Sequence, residues 1–174
     1  MKKIVVLSCT NRPNSNTLKV SKIYDNILKS KGADTKILDF CFLPETITVS
    51  ETFGRRSDGY ARLIDEFISP INKFVFVVPE YNGSFPGILK TFLDSMHPRE
   101  WNNKDACLVG VADGRAGNIR GLEHLTGILQ YLKMHVYHDK LPISIVNKIM
   151  DDQGNFSEAQ MKSCMLQMEG FLDF

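Results

Sequence analysis

Residues 79–87, Pro-Glu-Tyr-Asn-Gly-Ser-Phe-Pro-Gly, follow the apolar run Lys73–Val78 with a carboxylate (Glu80), an aromatic ring (Tyr81), an amide (Asn82) and a hydroxyl (Ser84). Gly83 and Gly87 let backbone come close to a flat ligand, and Tyr81 offers it a face or an edge. The N–H groups along Tyr81–Ser84 can bond the polar rim of a ring, with Pro79 at the root of the stretch. Glu80 suits a bond to a neighbouring loop or helix better than acid-base catalysis. The plainer alternative is a sharp turn capped by Ser84 and stopped by Pro86.

Two further loops carry usable groups. Cys9–Thr17 presents Thr10, Asn11, Arg12, Asn14, Ser15, Asn16 and Thr17 where a helix begins. Free backbone amides and the positive end of a helix dipole suit a phosphate there, and Arg12 adds charge. Ordinary capping by Ser15 or Asn16, with Arg12 in solvent, is an equal alternative. Ala112–Gly121 holds Gly114, Gly117 and Gly121 with Asp113, Arg115, Asn118 and Arg120, a density of glycine that suits unusual backbone angles or close ligand approach. Neither GxxxxGK[ST] nor GxGxxG occurs, which argues against a nucleotide triphosphatase and a dinucleotide fold.

The elements that must hold these loops follow from periodicity. Residues 3–9, 73–79 and 106–112 are short, nearly continuous apolar runs rich in Val and Ile, as in parallel strands covered on both faces. Residues 35–40 give a fourth strand, and 135–144 a fifth, bent or broken near Asp139 and Pro142. Helical spacing appears from Leu18 to Gly32, Tyr60 to Ile68, Ile88 to Met96, Asn118 to Lys133 and Ser157 to Leu172. Such alternation predicts one α/β domain over 1–174, a five-stranded parallel sheet with helices on both faces. The expected strand order is 2-1-3-4-5, which places the ligand crevice beyond the C-terminal ends of the strands. Residues 44–58, including Gly54, read as a long loop.

Bulk properties narrow the classes. A net charge of +1 with 24% charged residues gives no global attraction to nucleic acid or to an anionic membrane, and no window approaches a membrane span. Cys9, Cys41, Cys107 and Cys164 lack any short repeated spacing, so a disulfide framework or zinc site is not expected, and neither is a metal site at His97, His124, His135 or His138. A cytoplasmic setting is the simple reading. A phosphoacceptor site of the receiver kind needs clustered acids after the first strand, where Ser8, Cys9 and Thr10 stand instead.

Pro79–Asp94 with Asp113–Gly121 resembles the signature of the NAD(P)H-dependent FMN reductase family, flavodoxin-like proteins that include quinone, azo-dye and chromate reductases. The family's phosphate loop, GSxRxxS, is matched at Arg12 and Ser15, with Cys9 and Thr10 replacing its glycine and first serine. The resemblance implies a flavodoxin-like three-layer sandwich that binds FMN. Thr10, Arg12, Ser15, Asn16 and Thr17 would then hold the phosphate. Pro79, Glu80, Tyr81, Asn82, Gly83, Ser84, Asp113, Gly114, Arg115, Gly117 and Asn118 would frame the ring. It also implies NADPH or NADH as co-substrate, a small-molecule electron acceptor, no obligatory catalytic side chain, and a homodimer or homotetramer. In the sequence Phe85, Met96, Trp101 and Arg120 could face a partner, with Phe85 equally suited to the core and Met96 better suited to it. An FMN-binding electron carrier or a non-catalytic regulatory module of the same fold is the alternative; a carrier usually has an acidic docking surface, which this near-neutral chain lacks.

Overall fold

The computed structural model describes residues 2–53, 55–151 and 153–174; Gly54 of the expected long loop lies outside them. Strands β1 (Lys3–Ser8), β2 (Asp34–Asp39), β3 (Lys73–Pro79) and β4 (Asp105–Val111) alternate with helices α1 (Asn16–Ser30), α2 (Asp58–Phe67), α3 (Gly87–Asp94) and α4 (Ile119–Tyr131). The order β2-β1-β3-β4-β5 and the parallel pairing are those expected from the sequence, with Val6 beside Ile37 on one side and beside Val75 on the other. Side chains alternate across the sheet as a period of two demands. Phe74, Phe76 and Val78 join the core that includes residues of α2, α3 and α4, while Val75 and Val77 join the core under α1 and the C-terminal helix.

The fifth strand is two pieces. β5 (His135–Val136) and β6 (Leu141–Ile143) both pair with β4, so among the described residues the sheet has six strands, and a single turn α5 (Val146–Ile149) and helix α6 (Glu158–Asp173) follow. The interruption leaves β4 short of backbone partners. Gln167 of α6 fills the gap, its Nε2 donating to the carbonyls of Leu108 at 3.2 Å and Asp139 at 2.8 Å while its Oε1 accepts from Tyr24 Oη at 2.7 Å. A buried amide thus replaces ladder bonds that would otherwise be missing.

Two expectations need correction. Trp101 does not face outward: its ring is fully buried, edge-on to Phe74 at 5.6 Å and to Phe92 at 6.0 Å. The segment 44–58 is also not without structure, because Ile47–Glu51 forms a wide helical turn whose Ile47 reaches the core. Met96 is buried, and Phe85 packs partly covered against the same core.

Candidate functional site

Strand order reverses between β1 and β3, and a cavity of about 640 Å³ opens there at the C-terminal strand ends. This is within the range of small-molecule and cofactor sites. Thr10, Arg12, Ser15, Asn16, Thr17, Pro79, Glu80, Tyr81 and Asp113 line it, so all three loops meet at one place.

The first loop presents free donors at a helix start. Asn14 takes a positive φ of 53°, which a short amide side chain tolerates, and the turn delivers the chain to the N-cap Ser15. Ser15 Oγ accepts from the Leu18 N–H at 3.1 Å and keeps its own proton to donate. The N–H groups of Asn16 and Thr17 have no partner among the described residues. Cys9, at the family's glycine position, points into the core: it is fully buried, its Sγ lies 3.4 Å from the Leu7 carbonyl, and burial holds its thiol well above the usual range. Its side chain does not crowd the loop.

The second loop is tighter than the sequence suggests. Tyr81 and Ser84 exchange backbone bonds of 2.8 and 3.1 Å around Asn82 and Gly83, whose φ values are 51° and 79°. This is the geometry of a type I′ hairpin turn, for which Asn-Gly is the preferred pair. The Tyr81 and Ser84 N–H groups are therefore consumed inside the turn. Those of Asn82 and Gly83 have no partner among the described residues and are the ones a ring could use. Tyr81 sends its hydroxyl to Thr10 Oγ1 at 2.8 Å, and Thr10 Oγ1 also accepts the Arg12 N–H at 3.2 Å.

Helix α4 braces this turn. Arg120 Nη2 lies 3.3 Å from Glu80 Oε1, and His124 Nδ1 lies 3.0 Å from Ser84 Oγ. Glu80 is thus engaged structurally. Asn118, buried and left-handed at φ 66°, donates from Nδ2 to the Val78 carbonyl at 3.0 Å.

Two glycines of the third loop, Gly117 and Gly121, serve packing together with Gly110 of β4, whereas Gly114 has open space around it. A Cβ on Gly110 would stand 2.0 Å from the Gly117 carbonyl oxygen, and one on Gly117 would stand 2.7 Å from the Pro142 backbone. One on Gly121 would stand 2.8 Å from the Ser84 backbone. Of the predicted residues, Asn82, Gly83, Ser84, Gly114, Arg115, Gly117 and Asn118 do not line the cavity, and the last two are buried beneath it. Sequence reasoning missed Pro13, Val111, Ala112, Val146 and Asn147, which do line it. Pro13 and Ala112 adjoin predicted residues and Val111 is the last residue of β4; Val146 and Asn147 lie in a short turn without a motif.

Comparison with known proteins bears on the family and the fold. A sequence model described as NADPH-dependent FMN reductase matches residues 2–148. The chain is 30% identical over 104 residues to a 2-hydroxy-1,4-benzoquinone reductase of a Burkholderia species, a match covering 53% of this chain and 57% of that one. It is 28% identical over 116 residues to an NAD(P)H-dependent FMN reductase of Pseudomonas aeruginosa, covering 63% of each. These matches span less than two thirds of the relatives' length. Among solved structures, the flavoenzyme NAD(P)H:(acceptor) oxidoreductase of Paracoccus denitrificans superposes with a TM-score of 0.81 at 20% identity, covering 99% of this chain and 96% of that one.

Proposed function

The chain belongs to the NADPH-dependent FMN reductase family, and on that premise we propose that it binds FMN and passes reducing equivalents from NADPH or NADH to a quinone, azo, flavin or similar small acceptor. The observation that carries the reading is the meeting, at one cavity, of a helix start with free donors and the Pro79–Tyr81 stretch that leads into the Asn-Gly turn. The donor set fits the cofactor: hydroxyls, free amides and a guanidinium at one end, and backbone N–H groups with a tyrosine ring at the other.

When bound, FMN supplies the redox chemistry itself. The chain's task is to hold and orient it. In this reading Arg12 provides charge to the phosphate, Thr10 and Ser15 donate hydroxyl protons, and Asn16 and Thr17 offer backbone N–H groups at the positive end of α1. Pro79 to Gly83 with Asp113 frame the ring, while Ser84, Gly117 and Asn118 keep that frame in place through the bonds and close packing described above.

A homodimer or homotetramer is part of the same reading, with the exposed Tyr131 on α4 as available apolar surface. An electron carrier or a regulatory module would share this cavity, so the first test is binding. Adding FMN to the purified protein is expected to give a stable yellow complex that survives gel filtration; free FMN eluting apart from colourless protein would overturn the reading.

A further inference from the structure

Two of the cavity-lining residues, Val146 and Asn147, come from the segment after β6, far in sequence from the three motif loops. The chain reaches that position through an uncommon backbone state. Ile145 has φ 45° and ψ 43°, the left-handed region that β-branched residues avoid. Such a residue persists where its surroundings over-determine it. Here the Ile145 N–H donates to the Gly114 carbonyl at 3.1 Å, the Val146 N–H to Ala112 at 3.0 Å and Ser144 Oγ to Arg115 at 2.8 Å. The segment is stitched to the third loop, and the stitching brings Asn147 to the first.

Asn147 Oδ1 accepts from Asn16 Nδ2 at 2.6 Å, at the first turn of α1. That bond commits the oxygen and leaves the Asn147 amide NH2 to donate, with no partner among the described residues. We infer, on the premise of an FMN site, that Asn147 is a further ligand at the phosphate end, its Nδ2 donating to the phosphate beside Arg12 and Ser15. A backbone strained at Ile145 then has a consequence at the site: it aligns a neutral donor that none of the motif loops supplies.

The test uses Asn147→Asp, which keeps an acceptor for Asn16 but removes the donor and adds negative charge, together with Asn147→Ala. Wild type and both variants are titrated with FMN and with riboflavin, which lacks the phosphate, by quenching of flavin fluorescence. A hydrogen bond to a charged group corresponds to a loss of about tenfold or more in FMN affinity. The expected result is that loss in both variants with riboflavin affinity unchanged, larger in Asn147→Asp and reduced by added salt. Equal losses for FMN and riboflavin, or unchanged FMN affinity, would overturn the assignment while leaving the functional reading intact. No FMN binding by the wild type would overturn both. Asn147 is exposed, and circular dichroism verifies that each variant folds; Asn147→Ala decides the matter if Asn147→Asp does not.

Discussion

The hydroxyl of Tyr81 and the hydroxyl of Thr10 lie 2.8 Å apart, joining the end of β3 to the end of β1 across the cavity. One residue belongs to the loop suited to a ring and the other to the loop suited to a phosphate. Either oxygen can donate, so an anion at Thr10 can take one proton while the other keeps the two loops together.

Removing only that oxygen with Tyr81→Phe keeps the ring and deletes the link. A neutral hydrogen bond contributes about 0.5–1.5 kcal/mol net, so FMN affinity is expected to fall roughly twofold to tenfold. Titration by flavin fluorescence checks it; unchanged affinity would make the contact incidental.

Arg12 is exposed and supplies the guanidinium that lines the cavity. Arg12→Ala is expected to weaken FMN about tenfold to a hundredfold, as loss of a charged hydrogen bond does, with little change for riboflavin. An unchanged FMN dissociation constant in Arg12→Ala would remove the residue from the site.

Gly110 allows the third loop to lie directly on β4, since a Cβ there would meet the Gly117 carbonyl at 2.0 Å. The obstacle is backbone and cannot swing aside. Gly110→Ala is therefore expected to destabilise the fold by about 1–3 kcal/mol or more and to loosen the ring end of the cavity. Chemical denaturation compares it with Gly114→Ala, where the added Cβ meets nothing within 4 Å.

The sheet order, the main helices and the meeting of three loops were legible because buried parallel strands and amphipathic helices write their periods into the sequence. The division of the last strand was only half legible: Asp139 and Pro142 marked the break, but what fills it is Gln167, remote in the chain and ordinary in its surroundings. The free amides of the second loop were half legible: Asn82 and Gly83 keep theirs, but Asn82-Gly83 is itself the signal for a turn that consumes the N–H groups of Tyr81 and Ser84. Gly117 and Asn118 read as ligand-facing because glycine density does not distinguish backbone meeting a ligand from backbone meeting backbone. Asn147 left no sequence trace, since a single turn held by a strained Ile145 depends wholly on tertiary bonds.

Tyr60 gives a pH prediction. Burial pushes its phenol up to about 12, against the Ser95 hydroxyl and Arg56, which lower it. Between its unfolded value of about 10 and this folded value the native state holds a proton that the unfolded state has lost, so stability falls as pH rises through that window. The loss amounts to about 2–3 kcal/mol at its end. Tyr24 and the buried Cys9 and Cys107 are shifted the same way, so Tyr60→Phe is expected to flatten the alkaline decline without abolishing it. Urea denaturation at a series of alkaline pH values measures the slope; an identical slope in the variant would contradict the assignment.

The most direct test of the central claim is anaerobic reduction of the FMN-loaded protein followed by its visible absorbance. Addition of NADPH or NADH is expected to bleach the flavin band, and a quinone added afterwards is expected to restore it, with the protein retaining its cofactor throughout. A yellow complex that neither nicotinamide bleaches would contradict the account.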